Sequence, residues 1–376
     1  LPDCWMNLQR LNWVALGSNN FTGELPKSMN SLTELIGLRL YNNRFSGNLS
    51  SFLRSWSGLQ LLDLSENNIS GYIPGSKVKL LINLQVILLR SNKLQGIIPP
   101  ELCDLISLRV LDLANNGLIQ NVPNCFKCFT TAESQAFLDQ SANVSRMEER
   151  IFLIIKDKVN AYSHTLRWIT SLDLSCNNIS GEIPMELSIL RELVNLNLSS
   201  NRLQGSIPVK IGAMKSLESL DLSTNLLFGK IPESIGNLCF LSTMKLSNNN
   251  FYGRIPIGTQ IQGFPPTYFF GNPFLCGPPL PKNCGEVPLS SQSPTTNDDN
   301  EELEDDGCIE KKWFYLGMPF GFPIGFWGVL LPLALNRTWR IAYFGFIKKW
   351  KYKLSCKIST NPQMLKLCVS GGGRRN

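Results

Sequence analysis

The string LDLSCNNISGEIP at residues 172–184 differs at two positions from LDLSENNISGYIP at residues 62–74, and 110 residues separate the two. Recurrence this specific constrains the fold more than any other feature, because self-similarity at a fixed period marks a chain built from stacked units. The pattern L-x-x-L-x-L-x-x-N-x-(L/F/I)-x-G-x-(I/L)-P places its asparagine at Asn19, Asn43, Asn67, Asn92, Asn116, Asn177, Asn201, Asn225 and Asn249. The steps are 24 or 25 residues, except for 61 between Asn116 and Asn177, which is one unit plus about 37 residues foreign to the pattern.

Each position has a physical task. Leu172 and Leu174 alternate with Ser171, Asp173 and Ser175, as a short half-buried strand requires. Asn177 falls where the chain turns inward, so its amide is expected to satisfy backbone groups that would otherwise be buried unpaired. Gly181 and Pro184 supply turn backbone on the return leg, and Ile179 and Ile183 fill the far side of the core. One unit cannot bury its own leucines, so it must stack on its neighbours. The expectation is an α/β-type repeat solenoid with parallel strands along a concave face.

The units occupy residues 1–123, as five repeats preceded by a truncated one, and 169–257, as four repeats. Residues 124–168 are the insertion, an ordered flap to judge from the apolar run Ile151 to Ile155. Cys103 and Cys125 stand 22 residues apart, about one coil, so stacking brings them within disulfide reach. Cys4 has the same register as Cys125, and its partner would precede the first residue; the chain is therefore expected to be the C-terminal part of a longer protein. Spacing alone does not assign the pairing of Cys128, Cys176, Cys239 and Cys308.

The net charge of +7 is local: residues 336–376 carry ten Lys and Arg and no acid, leaving about −3 for everything before them. A nucleic-acid partner would require that charge on the folded body. Trp313 to Leu335 is 23 residues without a charge, roughly 34 Å as a helix at about 1.5 Å per residue, and predicts one membrane span. An acidic stretch within 285–312 precedes it and the basic tail 336–376 follows, which puts the repeats outside and the tail in the cytoplasm. Pro319, Pro323 and Pro332 predict kinks in that span. Gly317, Gly321 and Gly325, at four-residue spacing, form a helix face that another helix could approach closely. The outward part carries glycosylation acceptors at Asn20, Asn48, Asn68, Asn143, Asn178 and Asn197.

Catalysis is not expected. Asp63 and Asp112 repeat the placement of Asp173 and Asp221, so the aspartates are a property of the unit, and there is no metal-ligand cluster, nucleophile motif or cofactor motif. The short tail has no kinase motif, so any signal must be borrowed.

The L-x-G-x-I-P extension is similar to that of plant extracellular leucine-rich-repeat proteins; repeat five departs from it, with Gln120 at the glycine position. LPDCW at 1–5, FFGNPFLCGPPLPKNC at 269–284 and GFWGV at 325–329 leading to TWRIAYF resemble the kinase-less receptor-like proteins of this group, notably the ethylene-inducing-xylanase receptors. The resemblance implies a plasma-membrane receptor for an extracellular protein or peptide, acting in defence through partner kinases. A developmental peptide receptor, or a non-signalling decoy or inhibitor, are the alternatives. It further implies a C-terminal cap at 258–284 closed by Cys276 and Cys284, an adaptor receptor-like kinase paired through the glycine face, and a co-receptor kinase docked on the late repeats. The insertion resembles the island domain of such receptors, with Lys156, Tyr162 and Leu166 matching a family pattern and Asp157 replacing its glycine.

Outward strand residues before the island are large and individual, Trp13, Arg39, Tyr41, Leu88 and Arg90, and such side chains anchor specific interfaces, so this face is the candidate ligand site. Those after the island are small and regular; Asn197, Ser223 and Lys245 mark the candidate co-receptor face.

Overall fold

The computed structural model describes residues 1–284 apart from 54–55, 126–150, 157, 164–165, 167–168 and 259. The membrane span, the glycine face, the tail and Asn143 lie outside the described residues. Among the described residues no helix is long and apolar enough to cross a membrane.

Nine three-residue strands, Trp13–Ala15, Gly37–Arg39, Leu61–Asp63, Val86–Leu88, Val110–Asp112, Ser171–Asp173, Asn195–Asn197, Ser219–Asp221 and Thr243–Lys245, pair in chain order as a first, parallel sheet. The middle residue of each strand points into the core, where Leu38, Leu62, Leu111, Leu172 and Leu220 are at most 1% exposed. Ten further strands, from Thr22–Gly23 to Phe274–Cys276, form a second sheet on the return leg. The leucines, isoleucines and phenylalanines between the two sheets form one continuous core.

The asparagine ladder is what registers one coil on the next. Asn177 Nδ2 donates to the carbonyls of Leu174 and Ser175 in its own coil and of Leu113 in the coil before, at 3.0–3.1 Å. Its Oδ1 accepts from the Leu118 N–H at 3.0 Å, so a single amide satisfies four backbone groups across the joint. The residue before each ladder asparagine, from Ser18 to Asn248, is left-handed with φ between 51° and 57°, and this turns the chain inward. On the return leg eight units place glycine at a positive φ, and Gln120 adopts φ 72° at the corresponding point, so the irregular repeat keeps the turn.

The island leaves the stack unbroken. Ser171, Leu172 and Asp173 pair directly with Val110, Leu111 and Asp112, as though the 61-residue step were one coil. Cys103 and Cys125 are bonded with Cα atoms 5.6 Å apart, and Cys276 and Cys284 at 5.0 Å. Within the cap the ladder gains a tenth rung that the sequence pattern did not reveal: Asn272 accepts from Phe251 N–H at 3.0 Å and donates to Leu246 and Phe269 carbonyls. Gly271, φ 75°, takes the left-handed position before it. The cap is thus a last, half-formed unit that satisfies the edge of the one before.

Candidate functional site

The described part of the island is an antiparallel hairpin, Ile151–Ile155 with Lys158–Tyr162, in which Ile155 pairs with Lys158 across the turn. Lys156, first in that turn, has φ 58°. An isolated two-stranded hairpin is marginal in water. This one is held by alternation: Ile151, Leu153 and Ile155 are buried whereas Phe152 is 47% exposed. The three buried side chains and Leu166 pack on Leu61, Val86, Leu88 and Val110, which project from the outer face of the first sheet. Full burial is worth about 2 kcal/mol for each such side chain. At the far end Lys156 Nζ reaches Glu218 Oε2 at 2.7 Å, beside the strand Ser219–Asp221, so the hairpin bridges early and late repeats.

This seating changes the picture of the early face. Leu88 is 3% exposed beneath the hairpin, and Arg39 is 4% exposed, 3.6 Å from Asp63 and 4.9 Å above the Tyr41 ring. Neither presents a free side chain to a ligand. Arg90 donates to Asp112 at 2.9 Å. Trp13 and Tyr41 are half-buried, each lying over a glycine: a β-carbon on Gly37 would fall 2.1 Å from the Trp13 ring, and one on Gly17 equally close to Tyr41. The large residues that looked like anchors are thus largely engaged within the molecule.

Space opens between the hairpin and the late repeats instead. A cleft of about 460 Å³ has Lys158, Asn160 and Tyr162, alternate residues of one hairpin strand, along one wall. Val194, Ser242, Thr243 and Tyr268 form the other, with the Lys156–Glu218 pair at its side. Burial, and secondarily the negative charge of Glu218, push the Tyr162 phenol up from its ordinary value. The walls offer ammonium and hydroxyl donors beside apolar surface, a set suited to gripping an extended polar chain.

On the proposed co-receptor side, Asn197 donates to Asp173 at 3.2 Å and accepts from Ser199, while Ser223 donates to Asp221 at 2.6 Å. Lys245 lies 3.5 Å from Asp221 and 5.9 Å from the Tyr268 ring centre. Asn20, Asn48, Asn68 and Asn178 are exposed, whereas Asn197 is half-buried with its amide already donating, which disfavours it as a glycan acceptor.

The aspartate row holds one arrangement that sequence inspection missed. Asp63, Asp173 and Asp221 each accept from the serine two residues on, Ser65, Ser175 and Ser223. Asp112 is followed by Ala114 and receives only a backbone N–H there, at 3.1 Å. Asp112 is also the aspartate whose neighbour across the strand pair is another aspartate, Asp173. Burial, with the charge of Asp173 added, pushes Asp112 up to about 7 despite Arg90, and burial raises Asp173. The signal was available: counting the 61-residue step as a single coil puts the two in register.

The Leucine Rich Repeat family model matches residues 58–78, 83–105, 107–129, 168–190, 192–214 and 216–238. Receptor-like protein EIX2 of Solanum lycopersicum is 45% identical over 298 residues, covering 76% of this chain and 29% of the relative. The chain thus spans less than a third of that relative's length. Among solved structures, a plant ice-binding protein superposes with a TM-score of 0.58 at 27% identity, covering 76% of this chain and 80% of that one. The Arabidopsis receptor kinase HAESA, in complex with the peptide hormone IDA and the co-receptor SERK1, gives a TM-score of 0.51 at 28% identity, covering 74% and 44%.

Proposed function

As a leucine-rich-repeat chain related to the plant receptor-like proteins, this protein is, we propose, a cell-surface receptor that binds an extracellular protein or peptide and signals in defence through partner kinases. The observation that carries this reading is the cleft between island hairpin and late repeats, where ammonium and hydroxyl donors from both walls face open space. A peptide hormone and a co-receptor bound to the structurally similar HAESA support the same division of roles. We assign ligand contact to Lys158, Asn160 and Tyr162, with Lys156 as positioning residue, and co-receptor contact to the face around Ser223 and Lys245.

In this reading Trp313–Leu335 anchors the chain in the plasma membrane with the repeats outside, and Gly317, Gly321 and Gly325 pair it with an adaptor receptor-like kinase. A developmental peptide receptor would use the same geometry and differs only in its ligand.

The test separates the two faces. Lys158→Glu with Tyr162→Ala is expected to weaken capture of an extracellular ligand at least about tenfold while kinase co-precipitation without ligand is unchanged. Ser223→Arg with Lys245→Glu should leave capture within about twofold and abolish ligand-induced kinase recruitment. Equal loss of capture from both pairs, in folded protein, refutes the assignment.

A further inference from the structure

The hairpin's footprint ends beside the one carboxylate pair in the sheet. Asp112 is the register partner of Leu88, and Val110 lies two residues before it on the same face of the same strand; both apolar residues are under the hairpin. Asp112 and Asp173 are 4% and 3% exposed. Two adjacent carboxylates that water cannot reach do not both ionise without cost, and protonating one of them relieves it.

The described charged groups around the pair are few. Arg90 donates to Asp112 from the preceding coil, and Asn197 and Ser175 donate to Asp173. Asp63 lies two strands before Asp112, with Arg39 one strand further out, and Asp221 two strands after Asp173, with Lys245 one strand further out. From the hairpin come Lys156, held by Glu218, and Lys158 in the cleft wall. Among the described residues, therefore, Arg90 is the cation that acts on both carboxylates.

We propose that Asp112 and Asp173 form a pH-sensitive latch for the hairpin: with one of the two protonated the hairpin seats, and losing that proton loosens it from the first sheet. The pair gains solvation for its second charge by admitting water at the edge of the hairpin, next to Leu88 and Val110. Asp112 binds its proton more tightly in the seated state, so seating weakens as pH rises through about 7 and is fully favoured below the ordinary carboxylate range. Ala114 sets the threshold, because a serine there would give Asp112 the donor that Asp63, Asp173 and Asp221 have. The consequence for signalling rests on the cleft reading above, since a loosened hairpin loses one wall of the cleft. The latch itself does not.

The test reads the hairpin directly. In the detergent-solubilised full chain, hydrogen exchange of residues 151–162, corrected for intrinsic rates, is compared at about pH 5.5 and about pH 8.5. Protection is expected to fall at least about tenfold in the unmodified protein and to stay nearly constant in Asp112→Asn. Ala114→Ser, a near-isosteric change that tests the idea even where Asp112→Asn folds poorly, is expected to move the midpoint to lower pH. Protection that does not change with pH, or a midpoint that Ala114→Ser leaves in place, overturns the latch. Because no ligand enters the experiment, its failure would leave the receptor reading standing.

Discussion

Replacing Asn177 by alanine is expected to destabilise the solenoid by about 3–5 kcal/mol, measured as a drop in urea midpoint, because four hydrogen bonds vanish together and the Leu118 N–H is left buried and unpaired. Asn19→Ala is the matched control. Its amide is exposed and donates only to Leu16 and Gly17 carbonyls, so the same deletion there should cost about 1 kcal/mol or less. Equal costs at the two sites would show that leucine packing alone sets the coil register. The contrast also bears on the island, since Asn177 is the rung that rejoins the chain to Leu113 after the insertion.

A second large effect concerns the hairpin. Leu153→Asp places a carboxylate in the contact with Leu61, Val86, Leu88 and Val110, where burying an unpaired charge costs more than about 3 kcal/mol. The hairpin is expected to leave the sheet, and ligand capture to fall by about 100-fold. The urea midpoint of the solenoid should hold, since the coils on either side of the island pair with each other directly. Phe152→Asp, on the exposed face of the same strand, should change capture by less than about threefold. Comparable losses at 152 and 153 would mean that the alternation does not describe how the hairpin sits.

The repeat architecture was legible because each of its constraints is local to one unit. A leucine at a strand position, an asparagine at the turn and a glycine on the return leg each report a backbone need that recurs every 24 or 25 residues. Cys103 and Cys125 were legible for the same reason, their spacing being about one coil. The site was less so. Ile151 to Ile155 is apolar throughout, which marks a strand and does not say which side is down. Without that, Leu88 and Arg39 read as free anchors, although one lies under the hairpin and the other is folded against Asp63 and Tyr41. Asn272 was hidden by its setting in FFGNPFLCG, where the leucine pattern has lapsed but the hydrogen bonds have not. Where an inserted segment packs is the kind of fact a period cannot carry.

The proposed function requires that the island hairpin lie on the first sheet and wall a cleft against the late repeats. Its most direct test is cross-linking of Lys156→Cys with Glu218→Cys in full-length protein in which the free thiols among the described residues, Cys4 and Cys176, and also Cys308, Cys356 and Cys368 are replaced by serine. A short bis-maleimide should join the peptide containing residue 156 to the one containing residue 218 within one molecule and in high yield. A chain that folds and gives no such intramolecular product would place the hairpin elsewhere and contradict the account.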